Sequence, residues 1–192
     1  MKFKQFIKEN KEAIVLWHGG SLDDGYNETQ RHKKGRWEYG PGLYLTTHYE
    51  TAKKYAKGSR RLYRITVEKG NNIKDMSLSK EKIFQFVNTF VKNNKRKETK
   101  NRLEKHTKDG LINADIFLNI LINGETILGK YTNELRTFFV DNGIDYSLES
   151  NVYGWNELML VLFNMNKIIN KEVITDKTKI ETFDLPKEFV RL

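Results

Sequence analysis

The order of hydrophobic patterns along the chain constrains its fold more than any other feature. Strand-like runs come first: AIVLW at Ala13 to Trp17, then GLYLTT, then an alternating run over Leu62 to Val67. Helical periodicity occupies the middle of the chain, and the apolar run LMLVLF follows at Leu158 to Phe163. Strands, then helices, then strands favour an α+β fold with an inserted helical lobe over a βαβ arrangement.

The middle of the chain predicts three helices. Ser79 is a plausible N-cap for the first, whose apolar side chains share one face. The second is predicted over Leu111 to Ile122 and the third over about Asn133 to Asp141. An Asn-Gly pair directly after each of these segments predicts its C-terminal end. We therefore expect a single domain spanning residues 1–192, with a helical insertion at about 75–130.

Composition excludes several classes of protein. The 192 residues include no Cys, which removes disulfides, thiolate metal sites and a cysteine nucleophile together. The N-terminal segment lacks the continuous apolar stretch of a secretory signal, and Leu158 to Phe163 is too short to span a bilayer. We expect a soluble, cytoplasmic protein with no membrane partner.

Positive charge is concentrated in one segment. The chain has a net charge of +9, and Lys92 to Lys108 alone carries a net charge of +6. A solvated helix or loop face is one interpretation of this segment. A docking surface for nucleic acid or for an acidic partner is the other.

Three polar residues stand at the edges of apolar strands. His18 follows AIVLW, Tyr44 lies in GLYLTT, and Glu157 begins the most hydrophobic run of the chain. A carboxylate in such a run is costly unless it faces a cleft or a partner. Each residue alone is weak evidence for a site, because single polar residues are common at strand edges.

Together the three segments resemble a known family. The chain contains, in order, LWHGG, then GPGLYLTT with a second tyrosine in AKKYA, then WNELMLV. This series of motifs is similar to that of the ADP-ribosyltransferases of the poly(ADP-ribose) polymerase and diphtheria-toxin type. Those enzymes carry a His-Tyr-Glu triad in this order on three strands, and a second tyrosine eleven residues after the first. NGIDYSLESNVYGWNELMLVLFNMNKI further looks like the C-terminal part of bacterial and phage members. The resemblance covers about residues 13–70 and 133–170.

The resemblance implies a split β-sandwich with an NAD cleft, and it assigns roles to residues. Glu157, His18 and Tyr44 would be catalytic, with Glu157 holding a hydroxyl of the nicotinamide ribose. The nicotinamide ring would lie between Tyr44 and Tyr55. NAD is the implied substrate, without a metal ion. The residues implied to contact NAD are His18, Gly19, Tyr44, Thr46, Tyr55 and Asn156.

Departures from the family leave the acceptor of ADP-ribose open. Many members have a serine three residues before the second tyrosine, and here that residue is Ala52. Arginine-modifying relatives carry a Glu-x-Glu motif, and here Trp155 stands two residues before Glu157, which argues against arginine as the acceptor. A macromolecular acceptor of the host, protein or nucleic acid, is the main prediction. An NAD glycohydrolase and a catalytically silent module that binds NAD or nucleic acid are the alternatives.

Two further segments carry predictions. The polar loop Ser21 to Tyr39 would cover NAD, and its RHKKGR run would meet the pyrophosphate; a solvated loop is the alternative. The first residues, MKFKQFIKEN, resemble capsid-targeting segments of proteins packaged in tailed-phage heads. That resemblance implies a toxin or effector delivered to the host cytoplasm, whereas an amphipathic N-terminal helix explains the same residues without it.

Overall fold

A computed structural model describes residues 13–20, 22, 39–56, 61–124, 132–152 and 157–174. In these residues, eight strands and five α-helices form. The strands are β1 Ala13–Gly19, β2 Leu43–Thr46, β3 Leu62–Glu68, β4 Ser77–Ser79, β5 Leu111–Asn113, β6 Tyr146–Val152, β7 Glu157–Leu162 and β8 Ile168–Ile174. The helices are α1 Tyr49–Tyr55, α2 Lys80–Phe90, α3 Asn93–Glu104, α4 Ala114–Asn123 and α5 Thr132–Asp141. The expected α+β class is confirmed.

Six strands form one antiparallel sheet in the order β6-β7-β2-β1-β3-β8. The register pairs Leu45 with Leu160 and Leu16 with Ile65, so leucine and isoleucine side chains lie side by side in the core. Every residue of β7 except Leu158 is buried. Burial on both faces is the reason that β7 reads in the sequence as a continuous apolar run without polar alternation.

Contacts divide the chain into two compact units. The first contains β1, the stretch Leu43–Gly70 and the strands from Leu148 onward. Helix α1 covers this sheet where Trp17 meets Tyr49, with ring centroids 5.3 Å apart and an edge-to-face geometry. Ala52, Ala56, Leu62 and Ile174 complete this buried cluster.

The second unit contains Asn71–Ser147 as one continuous stretch, together with residues 39–42. Its core is aromatic: Phe117 contacts Phe86, Phe138 and Phe139, with ring centroids 5.7–6.1 Å apart. A two-stranded ribbon of β4 and β5 leads directly into α2 and α4. The helices predicted at about 75–130 lie in this unit, as does α5, which belongs to the part of the chain that the family resemblance covers.

The helix predicted over Leu111 to Ile122 begins later, at Ala114. Residues Leu111–Asn113 instead form β5, because they pair with Ser77–Ser79 across the ribbon. Ser79 is confirmed as a helix N-cap, since its side chain accepts from the backbone N–H of Lys82 at 3.3 Å. None of the helices in the described part of the chain has the length and hydrophobicity needed to cross a membrane.

Candidate functional site

The three segments that suggested a site lie on adjacent strands of the first unit. β2 lies between β1 and β7 in the sheet. His18 is the penultimate residue of β1, Tyr44 is the second residue of β2, and Glu157 is the first residue of β7. Strands separated by more than a hundred residues in sequence therefore lie side by side, and the register places Val161, not Glu157, opposite Tyr44.

Glu157 is the centre of a buried hydrogen-bonded group. Only 2% of its surface is exposed. The hydroxyl of Thr46 donates to Glu157 Oε1, and the hydroxyl of Thr51, on α1, donates to Oε2 at 3.2 Å. Both carboxyl oxygens thus have a donor, which offsets part of the cost of burying this group.

The end of β2 explains why the carboxyl group reaches α1. Thr47 continues the pairing with β7 by one residue, since its N–H donates to the Leu158 carbonyl at 3.0 Å. In return, the Leu158 N–H donates to the Thr47 hydroxyl at 3.1 Å, in place of a backbone carbonyl. The main chain is therefore able to turn into α1 while β7 still extends to Glu157, which places Glu157 over the junction of β2 and α1.

No cation neutralises Glu157 within the described ranges. The ion pairs found there all involve other carboxylates, and the donors to Glu157 are the two threonine hydroxyls. Hydroxyl donors hold a carboxylate in place without cancelling its charge. Such a group has the electrostatic character needed to attract a cation, or a positive charge that develops in a ligand.

His18 is also buried, with 4% of its surface exposed. Its Nδ1 lies 2.9 Å from the carbonyl oxygen of Tyr44. Because a carbonyl oxygen only accepts, Nδ1 carries the proton in this bond, and in a neutral ring Nε2 is then an acceptor. The bond fixes the imidazole to the backbone of β2, next to the tyrosine of the predicted triad.

The register places His18 and Glu157 on different faces of the strands. Trp17 lies opposite Thr46, so the side chain of His18 projects to the other face of β1, where its ring lies 6.1 Å from that of Tyr63. The Glu157 carboxyl lies on the face covered by α1. The two groups therefore lie on opposite faces of the sheet.

Gly19 has a structural role that the resemblance did not indicate. A Cβ atom at this position would overlap the Ala52 carbonyl oxygen and lie 2.8 Å from the Ala56 backbone nitrogen. Glycine is therefore required for α1 to approach β1 this closely. Its predicted contact with NAD stays a prediction.

The two tyrosines predicted to sandwich nicotinamide lie on different elements. Tyr44 is half-buried on β2, and Tyr55 is the last residue of α1 with 63% of its surface exposed. An exposed tyrosine ring is a suitable stacking surface for a flat ligand.

Some predicted residues lie outside the described part of the chain. These are Asn156, Trp155, the N-terminal segment and almost all of the loop Ser21 to Tyr39. Thr46, predicted to contact NAD, is described and directs its hydroxyl to Glu157. Thr51 was not predicted as a functional residue, because a threonine on a polar helix face gives no signal in the sequence.

Comparisons of the chain with protein-family models, with curated proteins and with solved structures find no match in any of the three. The function must therefore be argued from the site and from the residues that the sequence places in it.

Proposed function

We propose that the protein cleaves NAD and transfers ADP-ribose to a macromolecular acceptor, in the manner of the ADP-ribosyltransferases that its sequence resembles. The split β-sandwich fold of that family is part of the same proposal. One observation carries it: Glu157, a buried carboxyl group that is fixed by two threonine hydroxyls and lacks an ion pair in the described residues, begins the strand next to that of Tyr44.

The chemistry follows from the charge of this group. In the transfer, the bond between the ribose C1′ and the nicotinamide nitrogen breaks, and its electron pair leaves with nicotinamide. Positive charge builds on the ribose, as in glycoside hydrolysis. Glu157 accepts a hydrogen bond from a hydroxyl of that ribose, and its negative charge stabilises the transition state more than the ground state. The acceptor then supplies the electron pair of the new bond and releases a proton.

The other residues set the pose of NAD. Tyr44 and Tyr55 stack on the nicotinamide ring, each contact contributing about 0.5–1.5 kcal/mol beyond the area it buries. The Nε2 acceptor of His18 takes a hydroxyl of the adenosine ribose, an assignment that matches the tautomer fixed by the Tyr44 carbonyl. Thr46 and Thr51 are positioning residues, since they act on NAD through Glu157.

Replacing Glu157 by Gln tests the proposal. Glutamine keeps the size of the side chain and removes its charge, so we expect the rate of nicotinamide release to fall by about 10²–10³-fold. NAD binding and the melting temperature, measured in parallel, should change little. Glu172→Gln is the matched control, because Glu172 lies exposed on the edge strand β8, and it should release nicotinamide at the wild-type rate.

Near-wild-type release by a folded Glu157→Gln protein would overturn the role of Glu157. Incubating the protein with labelled NAD and a bacterial lysate identifies the reaction. Label that protease removes indicates transfer to protein, and label that nuclease removes indicates transfer to nucleic acid. Label found as free ADP-ribose alone indicates a glycohydrolase. Binding of NAD without any nicotinamide release indicates a silent module.

A further inference from the structure

Helix α3 presents a polar, predominantly basic face. One side of the helix is anchored in the second unit by Thr99 and Leu103, which are both buried. The opposite side lines a shallow surface groove formed by Asn94, Lys97, Glu98, Asn101, Arg102 and Lys105. We call this set the α3 basic face.

The cations of this face are not used in ion pairs within the described structure. Of the two glutamates of α3, Glu104 pairs with Lys80 at 2.6 Å and Glu98 pairs with Lys95 at 3.3 Å. No ion pair with a described residue involves Lys97, Arg102 or Lys105. Three positive charges therefore stand on the face, while its one carboxylate is already paired.

The helix dipole accounts for only part of this charge distribution. Arg102 lies in the last turn of α3 and Lys105 is its C-cap, and cations at a helix C-terminus are stabilising. The N-terminal end has the opposite pattern: its first turn contains no acidic residue, and its N-cap, Lys92, makes no side-chain capping bond. Cations near this end, such as Lys97, gain nothing from the dipole, whereas an anionic partner would stabilise them.

We propose that the α3 basic face binds the sugar-phosphate backbone of duplex DNA. The face offers cations and amide groups, which are the side chains that contact phosphates and sugars. It has no apolar or aromatic residue, whereas a protein–protein interface needs an apolar centre. Single-stranded nucleic acid is bound on aromatic stacking platforms, which α3 also lacks.

The dimensions of the helix fit this partner. Lys97 and Lys105 are separated by eight residues, which is about 12 Å along a helix. An α-helix is about 10–12 Å across, and the major groove of B-DNA is about 12 Å wide. The major groove of double-stranded RNA is too narrow for the same approach. This proposal does not rest on the transferase activity.

The test is the salt dependence of binding to a labelled 30-base-pair duplex, measured by fluorescence anisotropy on the full chain. In the variant Lys97→Ala, Arg102→Ala, Lys105→Ala, we expect the slope of log affinity against log salt to fall by about 2.7, since each phosphate contact contributes about 0.9. The control replaces three exposed lysines elsewhere, Lys69, Lys74 and Lys171, by Ala and keeps the wild-type slope.

Circular dichroism verifies that both variants fold; if the alanine variant does not, glutamine replaces alanine at the same three positions. The proposal is overturned if the wild type does not bind the duplex at about 50 mM salt, or if the α3 variant keeps the wild-type slope. It is also overturned if single-stranded RNA, double-stranded RNA or poly-glutamate competes as well as duplex DNA at equal charge concentration.

Discussion

At the level of single residues, the Thr46 hydroxyl is the most constrained polar group of the candidate site. It accepts from the His48 N–H at 2.9 Å and donates its only proton to Glu157. With only 5% of its surface exposed, Thr46 is buried, so losing either partner is costly. The orientation of the carboxyl group therefore depends on a hydroxyl whose own direction is fixed by the start of α1.

Replacing Thr46 by Val should destabilise the protein by about 2–4 kcal/mol, because the His48 N–H and the Glu157 carboxyl both lose a buried partner. Thr46→Ser is the control, since it keeps the hydroxyl and loses one methyl group at a cost of about 1 kcal/mol. Urea denaturation of the two variants measures the difference. Equal free energies of unfolding for the Val and Ser variants would contradict the role given to this hydroxyl.

At the level of elements, the two strands of the ribbon each end in the cap of the following helix. Ser79 ends β4 and caps α2 with one bond to a backbone N–H. Asn113 ends β5 and caps α4, where it accepts from the N–H groups of Asp115 and Ile116 at 3.0 and 3.2 Å. Its amide nitrogen also donates to the Lys74 carbonyl at 3.0 Å. A strand and a helix therefore share one residue at each junction.

Removing the two caps should have unequal effects. Asn113→Ala loses three hydrogen bonds and should destabilise the protein by about 1–2 kcal/mol, whereas Ser79→Ala loses one and should cost about 0.5–1 kcal/mol. Ser77→Ala, at an exposed position of β4, should change stability by less than about 0.5 kcal/mol. Denaturation midpoints of the three variants give the order, and a Ser79 effect larger than that of Asn113 would contradict it.

At the level of the whole molecule, the continuous stretch Asn71–Ser147 of the second unit is closed where it begins and ends. The Asn71 N–H donates to the Asp145 carboxylate at 2.8 Å, and the Asp145 N–H donates to the Asn71 carbonyl at 2.9 Å. The Asn71 side chain also donates to the Gly143 carbonyl at 2.8 Å. These bonds hold the two ends of the stretch side by side, which is the geometry required of an inserted lobe.

We therefore expect residues 71–147, expressed alone, to fold with a cooperative thermal transition in far-ultraviolet circular dichroism. Asp145→Ala in this fragment should cost about 2 kcal/mol, equivalent to a melting temperature lower by roughly 8–16 °C. Asp141→Ala removes an exposed carboxylate at the end of α5 and serves as the control. A fragment that melts without cooperativity would show that this stretch depends on the rest of the chain.

The sequence alone determined the order and type of the main elements. Period-two and continuous apolar runs located β1, β2, β3 and β7, and a capping serine located the start of α2, because these patterns depend on neighbouring residues. The same local logic failed at Leu111–Asn113, where pairing with β4 formed a strand in place of the predicted first helical turn. A three-residue strand has no pattern of its own, so only its partner identifies it.

Tertiary structure alone decided how the candidate site is assembled. The donors to Glu157 come from Thr46 and Thr51, more than a hundred residues away, and no local pattern selects these threonines among the others. Glycine is needed at position 19 because the Ala52 carbonyl on α1 lies close to it. The strand register decides on which face of the sheet the side chains of His18 and Glu157 lie. Local patterns depend on the spacing of residues along the chain, whereas hydrogen bonds and close packing depend on distances in space that only the folded chain establishes.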